Sequence, residues 1–290
     1  MMTSADALFY MGIDGGGSKT HAILVNDAGS IVDEVYTGAA NISSDVQRAH
    51  ASITAAIEML LAKHGIVASQ IKIGVGVAGF SSVANREQLL YWLQQRFFNV
   101  KIAADCHIAC LAAHGKNNGG IVICGTGVVG YTIDNGISRQ FGGWGFPHGD
   151  FGGAAWFGLQ LANRLCIMLD GMIAPTPVIT KLFEDNFNGD KSSYKNWLAQ
   201  ARAYDFAKLA ASILSYSHFF SDYYIKQLIQ DGANYLRQLL VVMKESSPKL
   251  EIKLAGGLAD IYLPVLKTYF PQLATSLVSP AFGGYLLWVI

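Results

Sequence analysis

Short apolar runs separated by turn residues dominate the N-terminal part of the chain. The runs are Ala7 to Ile13, His21 to Val25 and Ser30 to Tyr36, with a turn over Asn26 to Gly29. Runs of this length bounded by glycine or asparagine predict strands. Because no segment with helical spacing separates them, we expect an antiparallel meander rather than a strand–helix–strand unit.

Helices and strands then alternate up to Asp105. Ser44 and Asp45 can cap a helix in which apolar residues recur at helical spacing. The predicted elements are a helix to about His64, a strand over Ile71–Ala78, a helix over Ala84–Phe97 and a strand over Val100–Ala104.

The meander pattern recurs in the middle of the chain. Residue identity between the two copies is low, so we interpret them as a topological repeat, with two unrelated meanders as the alternative. The second copy has a strand over Gly120–Cys124, a loop over Gly125–Gly127, a strand over Val128–Ile133, a turn over Asp134–Gly136 and a strand over Ile137–Phe141.

Helical spacing prevails from Ala154 onward, with one further strand. The predicted elements are helices over Ala154–Leu169, Asp205–Tyr216 and Asp222–Met243, a strand over Glu251–Ala255, a helix from near Asp260 and a short apolar helix over Pro280–Ile290.

Composition narrows the class of protein. The chain has 290 residues, of which 51% are hydrophobic and 14% charged, with 21 basic and 21 acidic side chains. The low charged fraction excludes a mostly disordered chain. The zero formal charge gives no support for nucleic acid or an anionic membrane as a partner. No apolar run reaches the roughly 18 residues that a membrane span needs.

Four cysteines, Cys106, Cys110, Cys124 and Cys166, form neither a disulfide framework nor a zinc motif. We interpret them as buried thiols in a reducing compartment. The segment before the first glycine loop lacks the basic and apolar regions of a secretory signal. We therefore expect a cytoplasmic protein.

Glycine is the unusual component, with 31 of 290 residues, and it is clustered. The first cluster, Asp14-Gly-Gly-Gly-Ser-Lys-Thr20, lies between two predicted strands. Its bare backbone N–H groups can face an anion. Ser18 and Thr20 can add hydroxyl hydrogen bonds and Lys19 a charge, and Asp14 can reach a divalent cation bound to phosphates. The spacing differs from the P-loop and Rossmann motifs, and a tight glycine hairpin is the structural alternative.

Two further glycine loops are weaker signals. Gly125-Thr-Gly127 matches the first loop in position, and two hairpin loops facing each other across a cleft could hold a triphosphate. In the segment Leu254 to Asp260, the pair Gly256-Gly257 allows a flat ring to lie against bare backbone. A strand-end turn and a helix entry turn are the respective alternatives.

The order of these loops resembles the hexokinase–actin–Hsp70 superfamily of ATP-binding proteins. More narrowly, Met11–Thr20 resembles the BadF/BadG/BcrA/BcrD-type ATPase family, in the branch that contains N-acetylglucosamine kinases and bacterial glucosamine kinases. Further segments match in the same order, namely Gly38–Ile42, Gly76–Gly79, Asp105 with Ala112–Gly115, Gly143–Trp156 and Asp205–Ala210.

The resemblance implies an α/β fold with two ribonuclease-H-like lobes, mixed sheets and a cleft between the lobes. Residues 1–115 would form the first lobe, which the helix at 280–290 could join. Residues 116–290 would form the second lobe, with a helical insertion at about 154–245. Dimerisation is common in this family, so a homodimer is among the expectations.

The resemblance also implies roles by position, with ATP and Mg²⁺ as cofactors. The substrate would be an amino sugar phosphorylated on its 6-hydroxyl, N-acetylglucosamine as the first choice and glucosamine as the second. The first phosphate site would consist of Asp14, Gly15, Gly16, Gly17, Ser18, Lys19 and Thr20, with Asp14 near Mg²⁺. The second phosphate site would be Thr126 and Gly127, and Gly256 and Gly257 would contact the adenosine. Asp105 would be the general base, and the sugar would be held by Asn41, Gly79, Asp105, Gly127 and Asp150.

Alternatives remain for both residues and function. Judged without the resemblance, Asp105 and Asp150 could each be a helix N-cap. The protein could also be an ATP-driven activator of a dehydratase or reductase, although its cysteines lack the iron–sulfur context of those proteins, or a non-catalytic sugar sensor, although no helix-turn-helix precedes Asp14. Val128 stands where the family usually has Ser, which predicts a weaker polar site at the second loop.

Overall fold

The computed structural model describes residues 8–115 and 118–290. Ala7, where the predicted first strand begins, lies outside the described residues, as do most of the segment considered as a secretory signal and residues 116 and 117 at the predicted lobe boundary. Within the described ranges, no helix combines the length and apolar character required to cross a membrane.

The two predicted meanders are present, and their strands differ from the predicted bounds by one or two residues at most ends. The described strands are β1 (Phe9–Gly15), β2 (Thr20–Val25), β3 (Ile31–Thr37), β4 (Ile71–Val77), β5 (Val100–Ala104), β6 (Gly119–Cys124), β7 (Val128–Asp134), β8 (Ile137–Gly142), β9 (Ile252–Ala255) and β10 (Ala274–Thr275).

Two of the described helices, α5 and α6, were not predicted from the spacing of apolar residues. Both carry start signals, because the Thr176 side chain caps α5 ahead of Pro177 and the Asp190 side chain caps α6. The described α-helices are α1 (Val46–His64), α2 (Val83–Gln94), α3 (Asp105–His114), α4 (Ala154–Leu169), α5 (Pro177–Phe187), α6 (Lys191–Leu198), α7 (Ala203–Leu214), α8 (Tyr223–Ser246), α9 (Ala259–Leu266) and α10 (Pro280–Leu286).

The two five-stranded sheets repeat one strand order. The first sheet runs β3-β2-β1-β4-β5, with β1 antiparallel to β2 and parallel to β4, and the second runs β10-β9-β6-β7-β8. In both sheets the first strand of the meander is central, and two later strands extend the sheet beyond it. This shared order confirms the predicted α/β fold with its topological repeat.

The described chain divides into two compact units. The first contains the described residues up to Ile121, together with Tyr131–Arg139 and Leu277–Ile290. The second contains Val122–Gly130 and Gln140–Ser276. Each unit has its own hydrophobic core, formed in the first by one face of β1 and β4 with α1, and in the second by the helices around α4 and by β6 with α8 and α9.

On the other face of the first sheet, helices approach the strands at glycines. A Cβ on Gly12 would overlap the carbonyl oxygen of Ala281, and one on Gly74 would overlap that of Gly284. A Cβ on Gly283 would overlap the carbonyl oxygen of Ile108 in α3. The backbone of α10 therefore packs directly on β1, β4 and α3, the elements that carry Asp14 and Asp105.

Candidate active site

Three parallel strands of the first unit end at one edge of their sheet. The register pairs Gly15 with Val77 across β1 and β4, and Val77 with Ala104 across β4 and β5. Asp105 follows β5 directly and begins α3. Ligands of open α/β sheets bind beyond the carboxyl ends of the strands, which is where the structure places Asp14, Gly79 and Asp105.

The first glycine loop is a short hairpin between β1 and β2. The Gly16 N–H donates to the Lys19 carbonyl at 3.0 Å and closes it, while Gly17, Ser18 and Lys19 are exposed. Thr20 differs from its expected role, because it is fully buried and its hydroxyl donates to the Gly38 carbonyl at 2.8 Å. The structure thus gives the Thr20 hydroxyl a place in the base of the loop.

Asn41 and Gly79 lie together beside this loop. Ala40 donates its N–H to the Gly16 carbonyl at 2.8 Å, and Ala78 donates to the Gly15 carbonyl at 2.8 Å. Gly79 has φ of +77°, and a Cβ there would overlap the Asn41 side-chain oxygen. Glycine is therefore required at position 79 by both conformation and close approach.

Asp14 and Asp105 form an electrostatically coupled pair. Burial and, to a lesser degree, the Asp105 charge together raise the pKa of Asp14 to about 7, against the Lys19 charge, which lowers it. Burial also raises the pKa of Asp105 above its ordinary value, against hydrogen bonds from backbone N–H groups that lower it. Two carboxyl groups with raised pKa values at the same edge of a sheet are typical of functional sites.

The helix-cap alternative for Asp105 is only partly supported. The N-cap of α3 is Ala104, and Asp105 is the first helical residue. Its carboxylate still accepts the Cys106 N–H at 2.8 Å. Asp105 therefore accepts backbone N–H groups at the start of the helix without being its N-cap residue.

The donor set at Asp14 suits Mg²⁺ held jointly with phosphates. Magnesium is usually bound by one or two carboxylates, with substrate phosphates and water completing its octahedron. In the described ranges, no group of three or more His, Cys, Asp or Glu side chains could hold a metal without such help. When ionised, the carboxylates of Asp14 and Asp105 carry negative charge that a cation would neutralise.

In the second unit, the start of α4 holds the second glycine loop. Ala154 donates its N–H to the Gly125 carbonyl and Ala155 donates to the Thr126 carbonyl, both at 2.9 Å. The Gly125 N–H donates to the Gly127 carbonyl at 2.9 Å. The Thr126 side chain is exposed at the tip of this loop.

Asp150 lies against the second loop in a strained backbone conformation. Its φ is +61°, and its carboxylate accepts the N–H groups of Val128 and Gly145. A Cβ on Gly127 would overlap this carboxylate. The N-cap alternative for Asp150 is wrong, because the N-cap of α4 is Gly153. Burial raises the pKa of Asp150 above its ordinary value.

The third loop leaves β9, the neighbour of β6 in the sheet. Gly256 has φ of +92°, and a Cβ there would overlap the Cys124 carbonyl oxygen. Leu258 donates its N–H to the same carbonyl at 3.0 Å. Because Cys124 directly precedes Gly125, the second and third predicted loops are brought together in the second unit.

Three glycines have no internal reason to be glycine. A Cβ on Gly17, Gly125 or Gly257 would meet nothing within 4 Å, and none of the three has a left-handed φ. Leaving Gly120 aside, no other described glycine combines these two properties. Each lies in a different one of the three predicted loops, so open backbone at these positions is explained best by something that binds there.

Val128 does not weaken the polar site in the expected way. Its side chain is only 1% exposed and packs in the hydrophobic cluster with Cys124 and Leu254. Its carbonyl accepts the Gly143 N–H at 3.0 Å, and its own N–H serves Asp150. The residue acts on the site through its main chain, and a hydroxyl at this position would point into apolar surroundings.

Two features beside Asp150 and Asn41 escaped the sequence argument. Trp144, in the same glycine-rich segment as Asp150, is 84% exposed, and an aromatic residue amid glycines is the signal that could have identified it. Ser43 donates its hydroxyl to the Gly79 carbonyl at 3.0 Å and its N–H to the Asn41 side chain at 2.9 Å. No sequence pattern indicates this contact.

The cysteines mostly match their interpretation as buried thiols. Cys106, Cys110 and Cys124 are buried, and burial raises the pKa of Cys110 and of Cys124 to about 12. Cys166 is only half-buried, and its sulfur lies 3.4 Å from the Tyr194 hydroxyl.

Comparison with known proteins identifies a family for the chain. The BadF/BadG/BcrA/BcrD ATPase family matches residues 11–271. A glucosamine kinase of Vibrio cholerae is 29% identical over 257 residues, covering 87% of this chain and 85% of that protein. An N-acetyl-D-glucosamine kinase of Dictyostelium discoideum is 24% identical over 308 residues, covering 96% and 97%.

A solved structure shares the whole fold. It is a protein of Chromobacterium violaceum provisionally named an N-acetylglucosamine kinase, with a TM-score of 0.84 and 28% identity. The match covers 97% of this chain and 99% of that one. On the family match over most of its length, the chain belongs to the BadF/BadG/BcrA/BcrD ATPase family.

Proposed function

We propose that this protein is an ATP-dependent sugar kinase that transfers the γ-phosphoryl group to the 6-hydroxyl of an amino sugar. N-acetylglucosamine is the first choice of substrate and glucosamine the second. Relatives named for each of these activities support the sugar class, and the family match supports the use of ATP.

One observation carries the proposal: the coupled carboxylates Asp14 and Asp105 beside a glycine loop. Phosphoryl transfer needs phosphates held by backbone N–H groups and a cation, and a base for the attacking hydroxyl. Asp14 is the last residue but one of the strand that leads into the loop, and Asp105 is close enough for its charge to raise the pKa of Asp14. A purely structural hairpin would need neither carboxylate.

Asp105 is assigned the role of general base. A sugar hydroxyl is a poor nucleophile, and Asp105 would accept its proton as the oxygen forms its bond to phosphorus and the bond to the leaving ADP oxygen breaks. A base works best when its pKa lies near the operating pH. The raised pKa of Asp105 is in the direction that this role requires.

The glycine loops are assigned to the nucleotide. The loop from Gly15 to Lys19 would face the phosphates, with the exposed Gly17, Ser18 and Lys19 presenting backbone N–H groups and Lys19 also its ammonium. Asp14 would hold Mg²⁺, which supplies charge neutralisation when bound. Thr126 and Gly127 would contact phosphate in the second unit. Gly256 and Gly257 would lie against the adenosine, where the open space at Gly257 admits a flat ring.

Asn41, Gly79, Gly127 and Asp150 are assigned to the sugar. Asn41 keeps amide atoms for sugar hydroxyls, and the Gly79 backbone permits close approach. Asp150 keeps a left-handed φ that an aspartate adopts only at a cost, and such strain is typical of functional positions. The exposed Trp144 indole in the same segment is suited to packing on a sugar ring.

A substrate panel tests the proposal. ADP release would be followed with N-acetylglucosamine, glucosamine and glucose, and with N-acetyl-6-deoxyglucosamine as a matched control that lacks only the attacking oxygen. We expect turnover with one or both amino sugars, weaker turnover with glucose, and none with the 6-deoxy sugar, which should instead inhibit competitively. Near-zero turnover on all three hydroxylated sugars would contradict the kinase proposal, and turnover of the 6-deoxy sugar would contradict the assigned position.

A further inference from the structure

An aromatic residue outside the predicted site supports the lysine of the first glycine loop. The Lys19 ammonium lies 4.7 Å from the centroid of the Tyr36 ring. Tyr36 is on β3, two strands from the centre of the sheet, and is 52% exposed. A cation at this distance from an aromatic face is attracted by the ring quadrupole.

The ring is itself held in place from the neighbouring strand. His21 and Tyr36 are paired across β2 and β3, and their rings stack with centroids 4.4 Å apart and planes 6° from parallel. The His21 Nε2 lies 2.7 Å from a Glu34 carboxylate oxygen, and its Nδ1 lies 3.0 Å from the Ser279 hydroxyl. Both imidazole nitrogens are thus engaged.

This aromatic support connects the loop to the C-terminal helix. The Ser279 hydroxyl caps α10 by accepting the Ala281 N–H at 3.3 Å. The chain of contacts therefore runs from Lys19 through Tyr36 and His21 to the start of a helix that packs rigidly on β1. An exposed lysine at a loop tip normally samples many rotamers, and a fixed ring reduces the number it samples.

We propose that Tyr36 is a positioning residue that holds the Lys19 ammonium at the first glycine loop, ready for the phosphates of a bound nucleotide. The inference rests on the proposed function only in assigning that loop to nucleotide phosphates. It makes the Tyr36 ring, rather than its hydroxyl, the important part of the side chain, because the hydroxyl lies 3.5 Å from Glu34 and contributes little.

The first test needs no ligand. In the NMR spectrum of the free protein, the Lys19 ε-methylene protons should be shifted upfield by the ring, equally in wild type and Tyr36→Phe. The shift should disappear in Tyr36→Leu. An unshifted Lys19 signal in wild type, or one unchanged by Tyr36→Leu, would overturn the proposal.

The second test is equilibrium titration with ATP and Mg²⁺. Tyr36→Leu should raise the Kd by about two- to five-fold, the effect of an exposed cation–π contact, and Tyr36→Phe should leave it unchanged. In a Lys19→Ala background, Tyr36→Leu should have no further effect. In turnover assays, KM for ATP should rise while kcat stays the same.

Tyr204→Leu is the matched control. Tyr204 is 50% exposed and its ring lies 5.5 Å from the Lys208 ammonium, on a helix with no candidate site residue. An equal loss of affinity in this variant, or an undiminished effect of Tyr36→Leu without Lys19, would assign Tyr36 a general structural role instead. Because ATP binding is measured without a sugar, these results test the role of Tyr36 even if the sugar-kinase proposal fails.

Discussion

The Asp105 carboxylate combines a structural contact with the proposed role of general base. It accepts the Cys106 N–H at the start of α3, and burial raises its pKa in the direction that a base requires. Asparagine preserves the accepting oxygen and the size of the side chain, but it cannot take up a proton. Replacing this single group therefore separates the helix contact from the proposed base.

We predict that Asp105→Asn lowers kcat by about 100- to 10,000-fold, the usual contribution of a general base. The Kd for ATP and the thermal stability should stay close to wild type. Stopped assays and nucleotide titration on the same preparation measure both quantities. Turnover near the wild-type rate would show that Asp105 only stabilises the helix.

The pKa of Asp14 gives a prediction about stability. A carboxyl group whose pKa is raised on folding is penalised once it ionises in the native state. This loss of stability is absent below the unfolded-state pKa of about 4, grows as the pH rises between the two pKa values, and is complete above the folded-state pKa. For Asp14 that folded value is about 7.

Asp14→Asn should therefore stabilise the protein without nucleotide or magnesium, by on the order of 4 kcal/mol at about pH 8 and by little near pH 4. The same variant should lose Mg²⁺-dependent activity. Urea unfolding across this pH range measures the difference. A stability difference that stays constant with pH would contradict the raised pKa of Asp14.

The open glycines predict that binding and stability can be changed independently. Gly257→Ala meets no atom and keeps an ordinary φ, so it should leave the melting temperature unchanged while raising the Kd for ATP by about 10-fold or more. Gly17→Ala and Gly125→Ala should behave alike.

Gly171→Ala is the complementary variant. Gly171 also has open space but a φ of +75°, so alanine should cost about 1 kcal/mol of stability and leave ATP binding unchanged. If Gly257→Ala binds ATP as tightly as wild type, the third loop does not contact the nucleotide.

At the scale of elements, α10 determines how β1 and α3 are held. At Gly12, Gly74 and Gly283 the contact is backbone against backbone, so no flexible side chain at these points could adjust. Lys101 adds a hydrogen bond to the Leu287 carbonyl at 2.8 Å. The positions of Asp14 and Asp105 therefore depend on a helix remote from both in the sequence.

Gly283→Ala should lower the free energy of unfolding by about 1–3 kcal/mol or more, because its methyl would overlap the Ile108 carbonyl oxygen. Alanine has the better helix propensity by about 1 kcal/mol, which acts in the opposite direction. Urea unfolding, with Gly257→Ala as the control, decides between these effects. A Gly283→Ala variant as stable as wild type would contradict the close packing of α10.

At the scale of the whole molecule, local patterns predicted most of the fold and the loops. The meanders were predictable because turns rich in glycine and asparagine separate the strands. The start of α1 was predictable because aspartate is a preferred N-cap residue, and the Asp45 side chain accepts the Arg48 N–H as expected. Strand β10 was not predictable, because two residues carry no periodicity.

Other parts of the site depend on contacts between distant residues. The Asp14–Asp105 coupling arises from strand order, and the Tyr36 support for Lys19 arises from cross-strand register. The buried position of Thr20 and the inward side chain of Val128 likewise follow from packing, which no local motif encodes. For this reason the sequence predicted the residue types of the site better than the direction of their side chains.

The proposed phosphoryl transfer is tested most directly by ³¹P NMR of a reaction mixture that contains ATP, Mg²⁺ and either N-acetylglucosamine or glucosamine. Wild type and Asp105→Asn are measured in parallel. We predict that wild type converts the γ-phosphate signal of ATP into that of a sugar 6-phosphate and ADP, and that Asp105→Asn does not. Release of inorganic phosphate alone, or an equal rate of sugar phosphate formation by both proteins, would contradict the account.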